Sequence, residues 1–494
     1  MTFWPVPSRL AALAIVLAGM AGCGGENRDA PTGPVRVGVI GASPALVDPL
    51  RRASTPAGAA MLTATAQGLV AFDEEGRIVA GLAERWIVSD DGLSYIFRLG
   101  PARFGNGEPA TAELVARRLR QVLAAPRVDA TRALAGGLDE VVAMPNEVVE
   151  IRLLAPRPRL LELLAGPDFA ILHRGTGTGP FMAAIRRDGA ALAARPPTGP
   201  AADPPPDAAS VQIDTGRAAL MVARFAADGT DVVLGGRVAT LPIAQAAQLP
   251  GGALRIDPAD GLFGLAFAHA GGLLADQAVR AAIAMAIDRQ ALVEAFGAAA
   301  WQPQTALVPA QVEDLPRPAL PRWSAASLEE RRVAARAIVA IWQAANDGTP
   351  AQVRIALGAG PGERVLFARV RADLRLAGVE AVRVEPGAAA DLRLIDAVAP
   401  ADSAAWYLSA FTCNRSPACS AEADAALAEA SRALDAAEAA RLHAQADELM
   451  TAQTVFVPLA RPLRWSLAST NRAGFATNRR AAHPLLPLAN AAAE

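Results

Sequence analysis

The pattern of apolar and polar positions is sharpest between residues 68 and 115, GLVAFDEEGRIVAGLAERWIVSDDGLSYIFRLGPARFGNGEPATAELV. Glu74-Glu75-Gly76 separates two apolar, β-prone segments, and Asp90-Asp91-Gly92 separates two more. Asp and Gly there supply the positive φ of a tight hairpin. Leu93–Leu99 then alternates like a half-buried strand. Gly107-Glu108-Pro109 breaks the chain. Thr111 is a candidate N-cap for a helix beginning at Ala112, with Glu113 in its first turn. That helix is expected to run to Leu123, and a hairpin should follow around Pro145-Asn146, flanked by Val141–Val142 and Val148–Leu153.

Elsewhere the pattern changes period. Val35–Ile40 and Gly261–Phe267 are short apolar runs that read as strands. Val211–Arg217 and Val232–Leu234 read as strands around a helix at Ala218–Phe225. From Asp276 to Asp288, apolar residues recur at helical spacing (Val279, Ile283, Ala286, Ile287), and Arg280 falls on another face. Ser327 with Glu330 makes a capping box for a helix ending near Ala345. Strand Val353–Leu357, helix Gly362–Ala377 closed by Gly378, and strands Val379–Val384 and Asp391–Ile395 alternate as β-α-β. Glu422–Thr451 is an Ala-rich helical region broken near Asp435, and Val455–Leu459 is a further strand.

The first residues have a different character. Arg9 ends a short n-region, and Leu10–Met20 is an apolar core too short to span a bilayer comfortably, so residues 1–22 read as an export signal. Met20-Ala21-Gly22-Cys23 resembles a bacterial lipobox, which implies a mature N-terminus at Cys23 carrying lipid. The alternative is ordinary cleavage nearby with an incidental cysteine. Residues 23–34 are then a tether.

With 494 residues, 52% hydrophobic and 19% charged, the chain has the composition of a globular protein of two or three domains. A net charge of −2 argues against nucleic acid as a partner. No lysine occurs, which excludes a Walker A loop, a pyridoxal Schiff base and an S-x-x-K nucleophile. The four histidines are widely spaced and form no H-x-x-H or H-E-x-x-H group, and no G-x-S-x-G elbow exists. Neither a metal, a cofactor nor an enzyme activity is therefore expected. Cys413 and Cys419 bracket five residues, a loop that an exported protein can close as a disulfide.

Several strings carry a resemblance. In order they are Gly68-Leu69-Val70, Asp73, Gly76, Leu82-Ala83-Glu84, Trp86, Ser89, Asp91-Gly92, Tyr95, Phe97-Arg98-Leu99, Phe104, Gly107, Pro109 and Thr111-Ala112. Far along the chain come Val279-Arg280, Ala282-Ile283 and Ala286-Ile287-Asp288-Arg289, and between the two groups lies Gly177-Thr178-Gly179-Pro180-Phe181. Together they resemble the extracytoplasmic solute-binding proteins of family 5, the oligopeptide-, dipeptide- and nickel-binding components of ABC importers. Departures are mild: Ala80 stands where that family has Pro, and Asn106 and Leu114 where it often has Asp.

The resemblance implies an α/β fold, a two-lobed clamp of the type II periplasmic-binding-protein kind, with an extra subdomain inserted in lobe one. Lobe one is expected at 35–67 and 166–258 with the insertion at 68–165. Lobe two is expected at 259–465, and the chain returns to lobe one at 466–494. It further implies a monomer in the periplasm or cell envelope, held to the membrane by its lipid. Such a protein captures a small solute, first of all a peptide, and delivers it to a permease and ATPase. Peptide binders of the family pair an acid with the ligand ammonium in a W-x-x-D-like segment. Here that segment is Ile395–Leu408; the usual Trp is missing. With Asp402 as the second acid and Trp406 in place of the Phe, the first acid falls on Ala399, and Asp402 and Asp396 are both candidates. Trp301, Trp323, Trp406 and Tyr407 are candidate aromatic walls, and Ser43 follows the first strand. A same-fold sensor or chaperone without transport is the nearer rival reading, and a lipid-anchored envelope enzyme the more distant one.

Overall fold

A computed structural model describes residues 33–42, 44–51, 55–125, 137–195, 210–470 and 472–490. The signal segment, Cys23 and Ser43 lie outside them. In chain order the strands are β1 (Val35–Ile40), β2 (Val70–Phe72), β3 (Ile78–Ala80), β4 (Ala83–Val88), β5 (Ser94–Leu99), β6 (Leu138–Met144) and β7 (Val148–Leu153). There follow β8 (Phe181–Arg186), β9 (Gly189–Ala194), β10 (Ser210–Gly216), β11 (Val232–Arg237) and β12 (Leu254–Asp257). The last six are β13 (Gly261–Phe267), β14 (Gln352–Ala356), β15 (Glu380–Val384), β16 (Leu392–Val398), β17 (Phe456–Pro458) and β18 (Arg464–Ala468).

Two larger sheets dominate. One has seven strands in the order β12-β18-β11-β1-β10-β9-β8, and the other five in the order β15-β14-β16-β13-β17. β1 runs parallel to both β10 and β11, and β14 parallel to both β15 and β16, so each sheet has the helix-crossed parallel centre that β-α-β units build. The chain leaves the seven-stranded sheet after Asp257, enters the other at Gly261, and comes back with β18. A four-stranded antiparallel sheet, β4-β5-β7-β6, lies in sequence between β1 and β8.

Local chemistry accounts for these elements. Gly76, Gly92 and Gly107 have φ of 80°, 68° and 85°, the region where a Cβ is costly. Thr111 accepts from the Leu114 amide, and Ser327 and Glu330 form the reciprocal capping box of helix Leu328–Ala345. Gly177 and Gly179 press against the end of helix Pro56–Thr65, where an added Cβ would come within 2.3–2.4 Å of Ala66 and Thr65. That turn is a packing device and no phosphate cradle. The Ala-rich region is two helices, Ala421–Ala430 and Ala436–Gln453, the second capped by Asp435. Arg280, expected on a face away from the apolar stripe, is buried there and donates to the carbonyls of Leu274 and Gln453. Arg289 donates to the Pro458 carbonyl and, with burial and Arg331 against it, its pKa is brought down to about 9. Arg280 thus fastens helix Gln277–Ala286 to the end of helix Ala436–Gln453, and Arg289, which also donates to the Ala284 carbonyl, links the same helix to the strand that follows.

The apolar core of the four-stranded sheet, around Phe97 and Leu119, continues without a break into Trp406, Phe411 and Phe456. A second core joins β11 and β18 to β13 and β14. The segment that follows β16 is consequently packed against both the four-stranded sheet and its own five-stranded one.

Candidate functional site

Residues 396–419 lie at that junction, comprising the end of β16, a loop, the short helix Ala404–Leu408, and a loop closed by the Cys413–Cys419 disulfide. The segment has two faces with different chemistry.

On one face every acid is claimed. Asp402 is 2.9 Å from Arg479 and 2.9 Å from Arg480. Its amide donates to Glu162 on the helix Leu160–Leu164, and Glu162 also takes Arg480. Asp260, 1% exposed, holds Arg479 at 2.7 Å and Arg461 at 3.2 Å. Asp396 holds Arg464 at 2.6 Å across the two larger sheets. The Asn478 amide and His483 converge on Asp257, at the end of β12. Residues 478–483 therefore knot three bodies together: the crossing at 257–260, the loop 399–402, and Glu162 of the chain that follows the four-stranded sheet. Buried charges persist when paired and hydrogen-bonded in this way.

The other face opens on a cavity of about 460 Å³, within the range of small-ligand sites. Its walls are residues 156–163 on one side and the helices Ala404–Leu408, Ala421–Ala430 and Ala436–Gln453 on the other. Leu160, Leu163, Leu427 and several alanines make it largely apolar. Three polar groups stand out. Arg157 donates to the Pro156 and Ser431 carbonyls, and burial lowers its pKa. His443 is buried, and desolvation together with the Arg157 charge brings its pKa down to about 4, so its imidazole is neutral. Asp314 accepts from the Ala404 amide at 2.8 Å, and burial raises its pKa to about 6 despite that bond and the Arg159 charge. A second recess of about 630 Å³, between residues 46–51, helix Ala112–Leu123 and residues 172–175, is lined by Arg51, Arg117 and Arg174 and by the Arg118–Asp48 pair.

A family model described as bacterial extracellular solute-binding proteins, family 5, matches residues 77–340. The chain belongs to that family. Family-5 proteins bind solutes for transport and are not enzymes. The nickel-binding periplasmic protein of Escherichia coli is 33% identical over 100 residues, a match spanning 20% of this chain and 19% of that protein. Haemophilus influenzae OppA in complex with RPPGFSPFR superposes with a TM-score of 0.75 at 17% identity, covering 92% of this chain and 99% of that one. The murein tripeptide binding protein MppA of Escherichia coli gives 0.76 at 18% identity, covering 91% and 97%. These structures share the two-lobed α/β fold, so the seven- and five-stranded sheets are the cores of the two lobes.

Within this family-5 protein the residues singled out from sequence are dispersed. Asp402 and Asp396 sit at the seam, but arginines saturate both. Trp406 and Tyr407 are 1% and 0% exposed and pack edge-to-face at 4.9 Å. They are core, where an aromatic wall was expected, because the apolar stripe of helix Ala404–Leu408 faces the shared core. Trp301 is buried against Phe263 and Phe296, and its indole donates to the Arg461 carbonyl. Trp323 is half-buried with Arg289 and Arg331 over its ring. None of the four aromatics borders the 460 Å³ cavity. Asp314, Arg157 and His443, which do, were not singled out. The one signal for Asp314 is an acid placed between two wholly buried apolar residues, Val312 and Leu315. Among the described residues, no three His, Cys, Asp or Glu are grouped to hold a metal ion, and no helix is long and apolar enough to cross a membrane.

Proposed function

We propose that this protein is the lipid-anchored solute-capturing component of an ABC importer. It encloses a short peptide between its two lobes, and passes its closed form to a permease and ATPase. The observation that carries this reading is the family-5 match over residues 77–340 on a frame of two parallel-centred sheets, between which the chain crosses after Asp257 and again before β18. A solute held between the two lobes stabilises the closed arrangement by its differential affinity for it. The domain limits 35–67, 68–165, 166–258, 259–465 and 466–494 serve as the working division, with residues 1–22 as signal and Cys23 as the acylated residue. The peptide reading draws on the bound peptide of the OppA relative and the murein tripeptide of MppA.

Mass spectrometry of protein released from its own membrane tests it. Short peptides should be recovered, and re-adding them should shrink the radius of gyration measured by small-angle scattering. Recovery of a neutral glycoside, or a radius unchanged by the recovered solute, would overturn the reading. Palmitate labelling that is lost in Cys23→Ala tests the anchor.

A further inference from the structure

We propose that the 460 Å³ chamber is a second site, apart from the cleft between the lobes, and that it takes a small apolar carboxylate whose charged end rests on Arg157.

The position of the chamber sets it apart. Nothing before residue 156, between 163 and 314, or after 443 lines it. The lobe built on the seven-stranded sheet therefore gives it no wall. A solute clasped between the two sheet-centred lobes lies elsewhere, and the chamber remains open to a molecule of its own.

The chemistry of the walls selects that molecule. Arg157 is fixed in place. The Tyr95 hydroxyl donates to its carbonyl at 2.8 Å, and its guanidinium donates to the Pro156 and Ser431 carbonyls. Gly137 makes room for it, since a Cβ there would collide with the guanidinium. Those bonds use two of the five N–H donors, and among the described residues no carboxylate lies within salt-bridge distance of the group. Burial without a counter-ion works against its charge, and an anion arriving from the chamber relieves that cost. His443 also lines the chamber, only 9% exposed and kept neutral by burial and the Arg157 charge. Its Nδ1 has no partner among the described residues. A neutral imidazole within reach of the Arg157 charge is a hydrogen-bond partner for a polar head that adds no charge of its own.

The acids of the chamber do not claim Arg157. Asp314 takes the Ala404 amide and the Ser403 hydroxyl and lies under the charge of Arg159, and Asp424 takes the Cys413 amide. Both are committed to the segment 403–413 of the second lobe. Leu160, Leu163, Leu427, Ala439 and Ala440 make the rest of the wall largely apolar. One cation without a counter-ion in such a chamber complements a single negative charge on an apolar body, and the volume is that of a small-ligand site.

Isothermal calorimetry on the full protein stripped of solute tests this, with octanoate, octanol and octylamine as probes. Octanoate should bind at least about thirtyfold more tightly than the other two, as expected when a charge-assisted pair forms out of water. Arg157→Gln should remove that preference, and Arg157→Lys, which keeps the charge, should retain most of it. Ala440→Phe, which narrows the chamber, should weaken octanoate and octanol alike. Asp314→Asn keeps the Ala404 bond and takes a negative charge out of the chamber, so it should tighten octanoate about fivefold at pH 7. Should Arg157→Gln fail to fold, that gain and the Ala440→Phe loss still decide. Octanoate that binds no better than octanol, that binds Ala440→Phe undiminished, or that is weakened by Asp314→Asn overturns the proposal. Each of these outcomes leaves the clamp reading intact, because the clamp is tested by the co-purified solute and the change in radius.

Discussion

Asp402 and Asp314 lie close together in the fold, on opposite faces of one loop, and they are opposites electrostatically. The Asp402 carboxylate is shared by two arginines, and its own amide is bonded to Glu162. Asp314 takes the Ala404 amide and the Ser403 hydroxyl, and has no cation within salt-bridge distance among the described residues. The first arrangement spends its charge on holding the lobes and the inserted subdomain together. The second leaves charge unspent at the edge of a chamber. In a clamp of the proposed kind, rigidity and recognition must be separated, because an acid that does both would release the knot whenever the ligand left.

The largest expected effect tests the holding role. Asp402→Ala removes one of two carboxylate partners from Arg480, whose side chain is 9% exposed and which keeps Glu162, and one of two from Arg479, which is more open and keeps Asp260. Breaking a buried pair from one side costs about 3–5 kcal/mol, and the partners that both arginines keep argue for the lower end. A urea unfolding midpoint should fall accordingly, while the preference for octanoate over octylamine persists in whatever protein remains folded. A variant of wild-type stability that loses that preference would reverse the roles assigned to the two faces.

The contrast was only half legible in the sequence. Turns and caps follow from local chemistry: Asp-Gly reversals, the Ser327–Glu330 box and the Gly378 stop all act within four residues. The saturation of Asp402 depends on Arg479 and Arg480, some 77 residues on in a polar stretch with no period, so no local rule links them. Trp406 and Tyr407 show the other limit. Aromatic content cannot tell a ligand wall from a core, and a five-residue helix is too short for its amphipathic stripe to be read. Asp314 stands in an irregular segment, and its meaning comes from walls supplied by residues 156–163 and 404–443.

Asp447 sharpens the comparison, since it has neither an arginine nor a chamber. It is wholly buried on helix Ala436–Gln453, its Oδ2 takes the Ala319 amide, and beyond the nearby Thr451 hydroxyl no polar group among the described residues meets its Oδ1. Burial, with the Glu448 charge adding, raises its pKa to about 7. A folded value above the unfolded one, about 4, means that the protonated acid is favoured by folding. Its contribution is complete below pH 4 and is lost as the pH rises to 7. Asp447→Asn should therefore stabilise the protein on the order of 2 kcal/mol at pH 8 and make no difference at pH 4. Thermal unfolding across that range checks it. A variant that is weaker at both pH values would mean that the carboxylate has an unrecognised cation.

The smallest effect is the most discriminating. In protein stripped of solute, Asp314→Asn should change stability by less than about 1 kcal/mol at pH 7, and toward greater stability, because the amide keeps the Ala404 bond and removes a desolvated charge. With octanoate present the gain should grow, since ligand-linked stabilisation scales with affinity and the variant binds the anion more tightly. A gap between the two melting curves that widens on adding octanoate belongs to an acid that faces a ligand. An acid kept for the fold, as Asp402 is, loses stability with and without solute. If Asp314→Asn is destabilised equally in both conditions, the two faces of the loop do the same work and the separation of holding from recognition fails.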